Sequence, residues 1–458
     1  MSAQKSTKNY TMNMCEGSIV GKMLLFALPL IASSLLQLLF NAADIIVVGK
    51  FAGDNSLAAV GSTSSIINLL TQGFIGLSVG VNVLVARYFA GKQEKQMRDL
   101  VHTAMTVSVV SGCALAIIGF IGAKQFLLWM QSPPEVIDLA ALYMRIYFLG
   151  MPAVLSYNFG AAILRGVGDT RRPLYYLAFS GMVNVVLNLL FVIVFHMDVA
   201  GVALATVISQ VISAVMVIRC LMKEEGSIRI EKQYLCIDKK VLGNILQIGI
   251  PAGLQSCLFS LSNVVIQSTI NGFGSTVMAG SAAAANVEGF AYVAMNAFAQ
   301  ATVAFVGQNV GAGKFERINK IVLIAQGCAA GIGLVCGNLI YIFGEPLLGL
   351  YSDSSLVIEA GMLRLSFIAT TYAVCGMMDS MVGALRGLGY SVMPMIVSLL
   401  GACAFRMAWI FVFFQIERFH TIGTVYIAYP ISWIVTLVVH VICFLVVRKK
   451  FGKSESIA

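Results

Sequence analysis

Three carboxylic acids sit inside stretches that are otherwise apolar: Asp44 in "FNAADIIVVG", Glu288 in "AANVEGFAYV" and Asp379 in "VCGMMDSMVG". If those stretches lie in a bilayer, each charge costs roughly 2.5–3.5 kcal/mol. Together they cost on the order of 8–10 kcal/mol, comparable with the net stability of a whole domain. Each acid must therefore be neutral, face water or be offset by a partner, and all three conditions point away from lipid. Asp44 has polar company at helical spacing, because Ser34, Gln37, Asn41 and Asp44 fall on one helix face. Ser180, Asn184 and Asn188 recur at every fourth residue, and Thr206 stands in "GVALATVIS". Amides and hydroxyls bond a carboxyl as well as a carboxylate, and burial disfavours the charged form. Such a set suits a group that gains and loses a proton or an ion. The plainer role for the same residues is an interhelical hydrogen bond.

A second polar stripe runs through Glu288, Tyr292, Asn296 and Gln300, and Asp379 follows Thr371 and Cys375 at the same spacing. Two acids lining a cavity would draw in organic cations, on which Tyr292 could stack. Alternatively, either acid pairs with Arg406, buried in "CAFRMAWIF". Pro29 and Pro251 interrupt backbone hydrogen bonding within apolar runs and offer places for helix bending.

The elements that must hold these residues are legible from composition. Of 458 residues, 59% are hydrophobic and 11% charged, against about 25% charged in a soluble domain. Twelve apolar runs of bilayer-spanning length follow one another, the fourth over 140–164 and the tenth over 356–385. They are continuously apolar rather than alternating, so they are helices and not barrel strands. The tail ahead of the first run lacks the features of a secretory signal and is expected to stay attached. The net charge of +9 is a topology signal rather than a nucleic-acid footprint. With the N-terminus in the cytoplasm, 24 of the 30 Lys and Arg residues fall in or beside the tails and alternate loops. Arg165 and Arg386 belong to that group and are expected to anchor cytoplasmic helix ends. The expectation is a multi-pass protein of the plasma membrane with both termini cytoplasmic.

The chain also repeats itself at 221–222 residues: "ALPLIASSLLQLLFN" aligns with "GIPAGLQSCLFSLSN", "AGK" recurs, and "LRGVGDTRRP" meets "LRGLGYSVMP". Six spans in each half make the repeat parallel, with a pseudo-two-fold axis along the membrane normal and a site between the halves. The fold class is all-α and integral to the membrane, twelve helices in two six-helix lobes. The expected division is an N-terminal tail (1–21), an N-lobe (22–222), a charged cytoplasmic linker (223–240), a C-lobe (241–447) and a C-terminal tail (448–458). Asp44 aligns with Ile266 and Asn158 with Asp379, so the scaffold does not itself require an acid at either position.

Enzyme chemistry finds no foothold. "GQNVGAGKF" has one residue too many between its glycines for a phosphate-binding loop, and Phe315 replaces the hydroxyl that would hold magnesium. Four scattered histidines and ten cysteines without CxxC spacing suggest no metal site. No cofactor is expected.

The first-span proline and Asp44, with "YNFGAAILRGVGDTRRP", "NVVLN", "GVALAT", "GQNVGAGK", "GALRGLGYSVMP" and "YPISW", resemble the multidrug and toxic compound extrusion (MATE) family along essentially the whole chain. The resemblance implies a secondary transporter that exchanges a proton or sodium ion for organic cations by alternating access, acting as a monomer. It makes Asp44 the acid of an N-lobe coupling site, with Asn158, Asn184, Asn188 and Thr206 as hydrogen-bonding partners, and leaves sodium possible at Asp44. Some relatives carry a second aspartate where Asn188 stands, and the sodium-driven branch has a glutamate where this chain has Phe259. The first weakens a two-carboxylate site and the second removes the C-lobe sodium site of that branch, so the proton is expected ahead of sodium. Gln37, Asn41, Glu288, Tyr292, Asp379 and Arg406 are the candidate cavity residues. The rival reading is a lipid-linked oligosaccharide flippase of related architecture, whose cavity would be expected to hold basic residues.

Overall fold

A computed structural model describes residues 10–130 and 132–455. Among these residues there is no strand. The N-lobe comprises α1 (Ile19–Phe51), α2 (Asp54–Ala90), α3 (Glu94–Trp129), α4 (Pro134–Leu149 and Met151–Gly166), α5 (Arg171–Leu189) and α6 (Asp198–Lys223). The C-lobe comprises α7 (Lys239–Asn271), α8 (Ser275–Gly311), α9 (Glu316–Ile342), α10 (Ser355–Ile368 and Tyr372–Gly387), α11 (Val392–Ser398, continuing irregularly to Phe413) and α12 (Ile422–Glu455). Eleven spans are long and apolar enough to cross a bilayer, and the bent α4 makes twelve. The molecule is thus an all-α, multi-pass membrane protein of two six-helix lobes.

Two spans read from the sequence as continuous are interrupted, and at corresponding places. In α4 the axis bends by 46° at Gly150, where Pro152 removes a donor from the next turn. In α10 the break is a single 3-10 turn, Ala369–Thr371. A π-helical turn, Leu190–Val194, extends α5, and two more, Leu399–Ala404 and Trp409–Phe413, lie in α11. By contrast α1 and its repeat partner α7 run unbroken through Pro29 and Pro251. The turns after α4 and α10 use Gly168 (φ +94°) and Gly389 (φ +87°), a left-handed conformation that glycine adopts without strain. Ser18 and Asp238 cap α1 and α7 through the main-chain N–H groups of Gly21 and Val241.

The lobes meet along a glycine-lined seam. A Cβ on Gly253 of α7 would stand 2.3 Å from the Gly73 carbonyl oxygen of α2, and one on Gly80 would stand 2.5 Å from the Ile245 carbonyl oxygen. Only a missing side chain allows this approach. The first half of α1 crosses to the C-lobe, where Met23, Phe26, Ala27 and Leu30 join a core with Ala301, Phe305 and Ile321. Farther along, α1 packs against α5 and α6 of its own lobe.

Cross-lobe hydrogen bonds gather at the end where the helix-terminal basic residues lie. Arg87 donates to the Gly387 carbonyl at 3.0 Å, and Gln308 Nε2 donates to the Gly166 carbonyl at 3.0 Å. The tail completes the closure. Met14 is fully buried; its N–H donates to Gln308 Oε1 at 3.0 Å and its carbonyl accepts from Asn309 at 3.2 Å, while Met12 N–H reaches the Val167 carbonyl at 3.1 Å. Residues 12–14 therefore strap one lobe to the other. The segment between the lobes also packs down: Ile228 and Ile230 enter the N-lobe core, and His102 accepts from the Glu231 N–H at 2.9 Å.

Candidate functional site

Asp44 lies in the half of α1 that has left the seam, and the polar faces of α5 and α6 converge on it. Asn188 Nδ2 donates to Asp44 Oδ1 and also reaches Asn184 Oδ1 at 3.3 Å. Thr206 lies beside the same carboxyl group, accepts from Asn184 Nδ2 at 3.4 Å and donates to the Val202 carbonyl at 3.0 Å. Asn184 and Asn188 are buried, and Asn188 Oδ1 has no hydrogen-bond partner. The result is a compact group of oxygens: the carboxylate, a hydroxyl and two amide carbonyls. Such oxygens bind a proton at the carboxylate or coordinate a small hard cation.

Asn158, expected in this group, does not join it. Its Nδ2 bonds the Val154 carbonyl of its own helix at 2.8 Å, so its donor is used locally one turn back. In its place α4 brings Tyr143 and Tyr147, stacked with ring centroids 6.0 Å apart and close enough to interact electrostatically with Asp44. Their four-residue spacing was visible in the sequence, but the bend that swings that half of α4 toward Asp44 was not. Gln37 and Asn41 continue the α1 stripe and are exposed.

In the C-lobe the expected pair of acids separates into two different environments. Glu288 does not pair with Arg406. It receives two hydrogen bonds from Arg364, at 3.1 and 2.9 Å, and lies 3.4 Å from the Tyr372 hydroxyl. Arg364 also donates to Ser281 at 3.0 Å. This buried pair fastens α8 to the first half of α10 and leaves the Glu288 carboxylate fully engaged. Arg406 instead donates to Ser432 at 2.8 Å and lies 4.1 Å over the Tyr429 ring. Its positive charge is held against the aromatic face, with Trp433 at 5.7 Å behind it.

Asp379 keeps the exchangeable surroundings. Tyr292 lies beside it, and the Arg386 guanidinium interacts with it electrostatically. Tyr292 is 43% exposed while its neighbours Ala291, Ala294 and Met295 are buried, so it borders open space rather than core. Arg386 and Arg165 stand in the last turns of their helices, where the sequence placed them, and both are drawn into side-chain hydrogen bonds. Both are half-buried, Arg386 donating to Gln255 at 2.8 Å and Arg165 reaching across the lobes to Gln300 at 2.8 Å.

The sequence pattern of the MatE family matches residues 29–190 and again 251–412. The chain belongs to the MatE family. One matched segment lies in each lobe, so this MATE protein is a transporter built on an internal repeat. It is 27% identical over 434 residues to the probable multidrug resistance protein YoeA of Bacillus subtilis, covering 93% of this chain and 94% of that one. The probable multidrug resistance protein NorM of Thermotoga maritima is 24% identical over 424 residues, 91% of this chain and 90% of its own. A solved structure of a MOP superfamily transporter from Pyrococcus furiosus superposes with a TM-score of 0.88 over 98% of this chain and 99% of that one, at 22% identity. At that identity the likeness is one of fold, and the MATE site of this chain rests on its own residues.

Proposed function

We propose that this MATE protein is a secondary active multidrug efflux transporter that exchanges an ion for small organic compounds by alternating access. The observation that carries the reading is the Asp44–Asn188–Asn184–Thr206 group, a single acid surrounded by uncharged oxygens and amides with no basic partner among them. An acid so placed has its charge neutralised by a proton or a cation rather than by a basic side chain of the group. The proton is the favoured ion, because a second carboxylate is lacking where Asn188 stands.

The named relatives YoeA and NorM support drug-like cargo. The cycle proceeds from a state sealed at the basic end, taken as cytoplasmic, and open opposite. Ion occupancy at Asp44 neutralises α1, cargo leaves, the lobes rock across the glycine seam, and the ion departs inside. Tight exchange requires that ion and cargo favour opposite states. Asp379 and Tyr292 form the second contact point, suited to an organic cation with a flat ring. The flippase reading draws on the guanidinium of Arg386 beside Asp379, which would suit a pyrophosphate instead.

The test is ethidium efflux from proteoliposomes under separate proton and sodium gradients. The wild type is expected to respond to the proton gradient and Asp44→Asn to lose at least about 90% of that response, the size expected when an essential proton carrier is removed. If the variant matches the wild type, Asp44 is structural. If efflux is absent and a polyprenyl pyrophosphate probe crosses instead, the flippase reading replaces this one.

A further inference from the structure

Helices α2 and α8 end side by side at the basic end. A Cβ on Gly311 would stand 2.1 Å from the Arg87 carbonyl oxygen, and one on Gly91 would stand 2.9 Å from the Gly311 carbonyl oxygen. Their closing turns are built alike. The N–H groups of Gly91, Lys92 and Gln93 bond the carbonyls of Arg87, Phe89 and Tyr88, and those of Ala312, Gly313 and Lys314 bond Gln308, Val310 and Asn309. That register sets Arg87 against Gln308, one position away from the pairing that the two "AGK" runs suggest.

Each member of the pair reaches the glycine turn of the opposite lobe. Arg87 donates to the Gly387 carbonyl and Gln308 to the Gly166 carbonyl, both at 3.0 Å. The turns differ in what covers their left-handed glycine. At Gly389 it is the Arg87 guanidinium, since a Cβ there would meet Nη2 at 2.5 Å and Nη1 at 3.0 Å. At Gly168 it is the strap, since a Cβ there would meet the Met12 Cβ at 2.6 Å and the Met12 main-chain nitrogen at 2.7 Å. A glutamine is shorter than an arginine, and Gln308 gives its Oε1 to the Met14 N–H. The segment ahead of α7, the repeat counterpart of the strap, stays outside: Lys232, Gln233 and Tyr234 are exposed.

We infer that the N-terminal strap is a detachable substitute for an arginine: residues 12–14 close over the Gly168 turn as the Arg87 guanidinium closes over the Gly389 turn. One half of the seal is therefore carried by a helix and moves with its lobe. The other half is chain ahead of the first span, held by the Met12 and Met14 N–H groups and by Lys314 on the Cys15 carbonyl at 3.2 Å. A docked strap touches both lobes and favours the arrangement sealed at the basic end; a lifted one favours opening there. This rests on the alternating-access reading above, and it adds a control that lies outside both six-helix lobes.

The experiment compares the full-length wild type, Met14→Pro, Gln308→Arg and the double variant, with spin labels at Lys95 and Lys320 on a background lacking the native cysteines. Maleimide labelling of Cys15 is followed on a second background that retains that cysteine alone. Proline removes the N–H that Gln308 accepts. Arginine at 308 keeps a donor for the Gly166 carbonyl and gains reach over Gly168, but it cannot accept from Met14. Met14→Pro is expected to raise the population open at the basic end about fivefold, as for one lost hydrogen bond. Gln308→Arg should speed Cys15 labelling at least about fivefold while its distances stay those of the wild type, and adding Met14→Pro to it should change the populations by less than about twofold. Should Gln308→Arg fail to elute as a folded protein, Gln308→Lys, also donor-only and long, is read the same way. Wild-type distances in Met14→Pro, opening of the basic end by Gln308→Arg itself, unchanged Cys15 labelling in that variant, or an undiminished effect of Met14→Pro within it would each overturn the inference. Ethidium efflux from proteoliposomes separates the two readings. A wild type indifferent to every ion gradient defeats the transport reading itself; a gradient-driven wild type whose distances ignore the strap variants defeats this inference alone.

Discussion

At the scale of single residues, the same type of side chain does opposite things according to what faces it. Glu288 and Asp379 are both acids within C-lobe helices, yet Glu288 is locked by two hydrogen bonds from Arg364 whereas Asp379 lies beside Tyr292, which borders open space. Removing one partner of a buried pair leaves the other uncompensated, at about 3–5 kcal/mol. Glu288→Gln is therefore expected to lower the melting temperature of the detergent-purified protein markedly, while Glu288→Met combined with Arg364→Met recovers most of the loss. Transport per folded molecule by the double variant should stay near wild type; a large loss there would make Glu288 a cargo contact after all. The sequence placed Glu288 and Asp379 inside spans and on polar faces, because spacing along a helix is local information. It did not choose Arg364 over Arg406 as partner, because that depends on how α10 and α11 are rotated about their axes. For Asp44 the helical spacing of Asn184 and Asn188 was enough, whereas Asn158 was drawn back to its own helix by a local carbonyl that spacing cannot weigh.

At the scale of elements, hydropathy located the spans but not their interruptions. The 46° bend in α4 and the 3-10 turn in α10 arise from Gly150, Pro152 and residues 369–371, none of which lowers the apolar character of its run. The tail shows the converse. Its polar composition placed it outside the spans as a tail, but Met12, Met14 and Cys15 are drawn into the seam by hydrogen bonds to both lobes, a pattern composition does not encode. Cys15 offers a reporter for that strap. It is 6% exposed, and burial pushes its thiol above the usual range, against the opposing pull of Lys314 and Arg317. A raised value means less thiolate at neutral pH, and thiolate is the reactive form. In a variant whose other cysteines are replaced, maleimide labelling of Cys15 should be slow at pH 7, should reach its plateau only at pH values above those of a free cysteine, and should accelerate during turnover as the strap lifts. Labelling as fast as an unstructured peptide would mean that the strap does not hold.

At the scale of the whole molecule, the balance between the two lobe arrangements is set by few bonds. The glycine seam between α2 and α7 supplies contact area that can pivot, since backbones that touch without side chains interlock little. What distinguishes the closed basic end is a small set of directional links, and Gln308 contributes to two of them: its Oε1 holds the Met14 N–H of the strap, and its Nε2 holds the Gly166 carbonyl of the N-lobe. Two neutral hydrogen bonds are worth about 2 kcal/mol together, or roughly a 30-fold change in a two-state ratio. Gln308→Ala is therefore expected to populate the arrangement open at the basic end. Spin labels at Lys95 and Lys320, both exposed there and on opposite lobes, should show a longer distance distribution in the variant. A pair at Lys50 and Thr276, exposed at the far end, should shorten in step, because rigid lobes pivoting on a central seam must close one end as the other opens. Lengthening at the basic end without shortening at the far end would mean local fraying of the strap rather than a pivot, and the two-lobe mechanism would lose its geometric basis.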